Sequence, residues 1–70
     1  MPKAQISNVI RKLRFEHGEM TQQELADRVG CSRRTVVLLE QEKYVPSLSL
    51  AMDIARVFET GVEDVFRREG

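Results

Sequence analysis

Seventy residues with 41% hydrophobic and 31% charged content describe one small globular domain rather than a disordered tail. No apolar run approaches the ~20 residues that cross a bilayer and no signal-peptide pattern opens the chain, so a cytoplasmic protein is expected. Cys31 is the only cysteine, which excludes an internal disulfide, and a formal net charge of zero excludes a uniformly basic nucleic-acid binder. Charge is nevertheless divided unevenly. Residues 1–38 carry seven basic against four acidic groups, and residues 39–70 carry four against seven. Attraction to phosphate depends on the face presented rather than on the total, although solvated charge scattered at random gives the same counts.

Met1 to Lys3, with Pro2, are expected to form a loose terminus. Ile6, Val9, Ile10 and Leu13 follow at i, i+3, i+4 and i+7, which predicts a first helix over 6–17 with Ser7 or Asn8 as its cap. Gly18 follows His17 at a position that suits a left-handed C-terminal residue. Phe15 lies off the apolar stripe, to cover another helix or a partner surface. Thr21 and Glu24 have the spacing of a capping box for a second helix over 22–29, whose inner face is Leu25, Ala26 and Val29. Gly30 stops it. Ser32 then caps a third helix over 33–41, with Val36 and Leu39 as a narrow apolar stripe.

A helix, a Gly-containing turn of about four residues and another helix form the motif that presents a recognition helix to DNA. An ordinary αα-corner uses the same caps for packing alone. Beyond it, Pro46 disfavours helix at Val45, and Ser47 caps a fourth helix over 48–58. Leu48, Ala51, Ala55 and Phe58 mark its inner face, widened by Leu50 and Ile54. Gly61 breaks the pattern before a fifth helix over 62–68, with Val65 and Phe66 inward. Its first turn holds Glu63 and Asp64, and Arg67 and Arg68 lie near its end, as the helix dipole favours. No segment alternates like a strand. The expectation is an all-α, compact five-helix bundle occupying residues 1–70 as a single domain.

Arg33 and Arg34 stand in the first turn of the third helix, the part nearest base edges when such a helix enters a major groove. An arginine there can donate two parallel hydrogen bonds to guanine O6 and N7, worth ~1–3 kcal/mol of discrimination. One is expected to read a guanine and the other to grip phosphate; two solvated arginines are the plainer alternative. Catalysis has little support. His17 is the only histidine and suits a capping or solvent role, while Cys31 suits packing as a small apolar group. No Cys/His spacing fits zinc and no glycine loop fits a nucleotide, so neither cofactor nor small-molecule ligand is expected.

Three stretches resemble the Cro/C1-type (XRE-like) helix-turn-helix family of prokaryotic and phage regulators, which has the lambda-repressor-like fold. They are Ile10-Arg11-Lys12-Leu13-Arg14; Thr21 to Ala26 continuing through Gly30-Cys31-Ser32-Arg33-Arg34-Thr35-Val36; and Leu39-Glu40 with Lys43-Tyr44 and Pro46-Ser47-Leu48. The resemblance implies transcription regulation through double-stranded DNA. It implies that Gln22 holds a backbone phosphate and that Ser32, Arg33, Arg34, Thr35, Val37 and Leu38 belong to the DNA-facing part of the recognition helix. It further implies that Lys43 and Tyr44 meet the sugar-phosphate backbone, and that Arg14 and Glu40 form a partly buried ion pair.

The chain departs from that pattern in several places. Val37 and Leu38 are apolar where small or polar groups are usual, for contact with thymine methyls or with a protein. Glu42 and Glu59 stand where glycine usually follows a helix, and Gly61 takes a usual Ser or Thr cap position. A homodimer is expected, through the last two helices and their flanks, because one such domain reads few base pairs. The rival expectation is an antitoxin or a restriction-modification controller, which acts through a protein partner. Phe15, the Val37/Leu38 pair and Val65-Phe66 would then form the interface.

Overall fold

Capping side chains set the helix boundaries of the computed structural model, which describes residues 5–69. Thr21 Oγ1 accepts the Glu24 N–H at 3.0 Å, and the Glu24 carboxylate accepts the Thr21 N–H at 3.0 Å. This closed box opens helix α2 (Gln22–Val29), and Gly30 ends it in the left-handed region at φ 75°. Ser32 Oγ accepts from Thr35 N–H at 3.2 Å to open α3 (Arg33–Glu40). Ser47 Oγ does the same for Leu50 N–H at 3.1 Å, opening α4 (Leu48–Val57). At α5 (Val62–Val65) the cap residue is Gly61, which has no hydroxyl. The Asp64 carboxylate instead accepts the Gly61 N–H at 3.3 Å and the Thr60 hydroxyl at 3.0 Å.

The two ends of the chain depart from the all-helical expectation. Helix α1 covers Ile10–Glu16, one turn shorter at its start than 6–17, and α5 ends at Val65 rather than 68. The residues released form an antiparallel pair, β1 (Gln5–Asn8) with β2 (Phe66–Glu69), in a register that sets Ile6 opposite Arg68 and Asn8 opposite Phe66. Asn8 explains the boundary. Its Oδ1 accepts the Ile10 N–H at 3.2 Å and its Nδ2 donates to the Leu39 carbonyl at 2.7 Å, while Val9 N–H donates to Val65 O at 3.0 Å. Those bonds hold 8 and 9 out of a helix. Val9 is therefore exposed rather than on a buried stripe, and Arg67 and Arg68 lie exposed on a strand rather than at a helix end. The terminal stretch 1–3 lies outside the described residues.

Every helix supplies the core: Ile10 from α1, Leu25 and Ala26 from α2, Val36 and Leu39 from α3, Ile54 and Ala55 from α4, and Val65 from α5. Met20 and Phe58 complete it. The α4 stripe begins later than its spacing suggests, because Ala51 is buried whereas Leu48 is 72% exposed. Three glutamates, Glu19, Glu42 and Glu59, adopt positive φ (56°, 61° and 54°). Glu42 and Glu59 are the expected glycine replacements; the positive φ of Glu19, directly after Gly18 at φ 77°, was not expected from the sequence. Among the described residues no helix is long and apolar enough to cross a membrane.

Candidate nucleic-acid interface

Between α2 and α3 the chain turns within three residues. Gly30 N–H and Cys31 N–H both donate to the Ala26 carbonyl, at 2.9 and 3.0 Å. Cys31 is half-buried in the turn, and that burial pushes its thiol pKa up. Ser32 then caps α3 and also pairs through its hydroxyl with Thr35 Oγ1 at 3.0 Å. With Val36 and Leu39 fully buried, the 3.6-residue period turns Arg33 and Arg34 outward, and both are exposed. Among the described residues neither has a hydrogen-bond or ion-pair partner. Val37 and Leu38 are half-buried, so they are neither core nor fully open surface.

The far end of α3 is held by a hub. Arg14 Nε and Nη2 donate to the two Glu40 carboxylate oxygens at 2.7 and 3.1 Å, and Arg14 Nη1 donates to Met20 O at 2.7 Å. Gln22 Nε2 donates to Glu40 Oε1 at 3.1 Å. The expected ion pair is present, with 14% and 9% of the two side chains exposed. Gln22, expected at a phosphate, is thus anchored on its inner side and is only partly exposed. An amide nitrogen carries two hydrogens, so one remains for an outside acceptor. Lys43 and Tyr44 are exposed in the loop that follows, and Lys43 N–H donates to Leu38 O at 3.0 Å, which ties the loop back to α3.

The structure therefore groups Ser32, Arg33, Arg34 and Thr35 at one end of α3. Gln22 lies with Arg14 and Glu40 at the other end, and Lys43 and Tyr44 follow it. It withdraws part of the rival protein-binding surface: Val65 is fully buried and Phe66 packs against the core, whereas Phe15 is 68% exposed. His17 caps its helix. Its Nδ1 lies 2.8 Å from Leu13 O, and a carbonyl only accepts, so that nitrogen carries the proton. The ring meets Phe58 edge-on at 5.2 Å. Sequence reasoning missed Asn8 as a tie to α3, a contact across 31 positions with no local signature.

As built, α2, the turn and α3 are a helix-turn-helix set in a mostly helical domain. The helix-turn-helix family profile matches residues 10–65. An uncharacterized HTH-type transcriptional regulator of Archaeoglobus fulgidus is 56% identical over 57 residues, covering 81% of this chain and 80% of that one. One from Methanocaldococcus jannaschii is 41% identical over 61 residues (87% and 91% covered), as is one from Bacillus subtilis. The chain belongs to the Cro/C1-type helix-turn-helix family. The crystal structure of a proposed DNA-binding protein from Bacteroides fragilis superposes with a TM-score of 0.75, covering 89% of this chain and 98% of that one. At 21% identity, that likeness concerns the fold alone.

Proposed function

We propose that this chain is a sequence-specific regulator of transcription that lays α3 in the major groove of double-stranded DNA. The observation that carries this reading is the pair Arg33 and Arg34. They open a capped helix, are exposed and are without partners among the described residues, while the opposite face of the same helix is locked in the core. In this geometry one guanidinium reads guanine O6 and N7 and the other holds phosphate. Gln22, Ser32, Thr35, Lys43 and Tyr44 position the backbone, and Val37 and Leu38 meet thymine methyls. Such a regulator acts in the prokaryotic cytoplasm.

Specificity calls for two copies on a palindromic operator, with half-sites one helical turn apart. Leu48 and Met52, one turn apart on α4 and 72% and 52% exposed, offer the apolar surface for a homodimer. Selection of bound sites from random duplex DNA at stated salt tests the reading, with a palindrome as the expected product. Arg33→Ala and Arg34→Ala then separate the two roles: a base reader relaxes preference at one position, whereas a phosphate contact weakens all sequences alike. No enrichment by the wild-type chain refutes the proposal. One observation favours a partner-protein role, as in an antitoxin or restriction-modification controller: exposed Phe15 shares a groove with Val37. Stable co-purification with a toxin-like protein, without DNA selection, would establish that role instead.

A further inference from the structure

Helices α1 and α3 leave an open groove of about 830 Å³ between them. Arg11, Lys12 and Phe15 line it from α1, Val37 from α3, Gln41 from just beyond the end of α3, and Gln22 from the start of α2. Two of its charges, Arg14 and Glu40, satisfy each other at 2.7 Å. What remains is Arg11 and Lys12, facing one carboxylate, Glu16. Both cations are exposed, and among the described residues neither has a hydrogen-bond or ion-pair partner. They share that groove with Gln22, the residue assigned above to a backbone phosphate, and with Val37 of α3, so the two cations stand beside the DNA-facing elements on the α1 side.

We propose that Arg11 and Lys12 form a second backbone clamp, which holds DNA phosphates on the α1 side while α3 occupies the major groove. The clamp rests on the DNA reading above. Arg14, one turn from Arg11, differs from these two because its charge is already neutralised by Glu40, with a further bond to the Met20 carbonyl. The half-buried Val37 and the ring of Phe15 add apolar surface beside the cations. Water displaced from that surface strengthens a charge–phosphate contact. Each phosphate neutralised adds about 0.9 to the slope of log K against log salt on duplex DNA.

The test compares the wild type, the double variant Arg11→Ala/Lys12→Ala, and Arg56→Ala. The last removes an exposed cation from α4, outside this groove. Affinity for the selected duplex and for a scrambled duplex is measured across a salt series. The double variant is expected to lower the slope by about 1–2 and to weaken both duplexes by the same factor, roughly 10- to 60-fold at ~0.1 M salt. Arg56→Ala should leave the slope unchanged, and thermal unfolding of all three should coincide because the substituted side chains are exposed. An unchanged slope in the double variant overturns the clamp, as does an equal fall in Arg56→Ala, which would mean a general field rather than contact. Retained DNA binding with loss of an acidic peptide ligand would likewise overturn it and assign the groove to protein. Failure of the wild type to select any duplex is a different result, which removes the DNA reading itself.

Discussion

Replacing Arg14 with methionine tests whether the hub under α3 determines the fold's stability. The substitution keeps most of the aliphatic bulk and removes the guanidinium that makes two bonds to Glu40 and one to the Met20 carbonyl. Glu40, with 9% of its side chain exposed, then keeps only the Gln22 amide as partner. Stranding one member of a fully buried pair costs about 3–5 kcal/mol. Partial exposure of both side chains and the surviving Gln22 bond lower that to about 2–4 kcal/mol. A domain of this length has roughly 4–10 kcal/mol in total, so the loss is a large share. It corresponds to a Tm lower by about 10–25 °C. Urea or thermal unfolding followed by circular dichroism measures it. Adding Glu40→Leu to Arg14→Met removes the stranded carboxylate and is expected to restore at least half of the lost stability. The reasoning fails if the single variant loses less than ~1 kcal/mol, or if the double variant is no more stable than the single.

Asn8→Ala deletes the bond to Leu39 O and the acceptor for Ile10 N–H, and is expected to cost about 1–2 kcal/mol in the same unfolding assay. Glu42→Gly and Glu59→Gly relieve left-handed backbone at φ 61° and 54° and remove acid from the negative end of a helix, each raising stability by about 0.5–1 kcal/mol. Glu42→Gly should also tighten DNA binding, as measured by titration at fixed salt, because a negative charge leaves the loop beside Lys43. The Glu24 carboxyl is held below its ordinary value of 4.5, first by the Thr21 backbone N–H and then by the Thr21 hydroxyl. A folded pKa below the unfolded one stabilises above the ordinary value, and that stabilisation disappears as pH falls through the lowered value. Glu24→Gln should therefore flatten the acid limb of a stability-versus-pH curve from about pH 4.5 downward. Burial raises the Cys31 thiol pKa, so alkylation near neutral pH should run slower than for a free thiol and accelerate in urea.

The caps at Thr21, Ser32 and Ser47 were legible because each is a bond between residues three apart, written entirely in local sequence. Arg14 with Glu40 was reached only through the family resemblance, since nothing local pairs residues 26 positions apart. The strands were not legible for the same reason. Ile6, Val9, Ile10 and Leu13 fit a helical period as well as any surface helix does, and a four-residue strand is too short for alternation to compete. What decides between them is the pairing of residues 5–8 with 66–69, at opposite ends of the chain. Leu48 misled differently. Its spacing matches Ala51 and Ala55, but it sits in the first turn of α4, where no other element covers it.

The short sheet matters for the proposed activity because of where it delivers Asn8. Pairing β1 with β2 places that carboxamide against the carbonyl of Leu39, in the last turn of α3. Arg14 and Gln22 reach the next residue, Glu40, from α1 and α2. The C-terminal end of α3 is thus fixed by three elements, its middle by Val36 and Leu39, and its start by the turn after Gly30. The helix has little freedom left to lose on binding. Only side chains such as Arg33 and Arg34 must be ordered, and each immobilised side chain costs about 0.5–1.5 kcal/mol. A good bidentate arginine–guanine contact supplies ~1–3 kcal/mol of discrimination. On that comparison a rigid helix can afford specificity from a few contacts, whereas a loosely held one would lose it to ordering its own backbone. Neutral net charge points the same way, because little general attraction is available to make up for poor positioning.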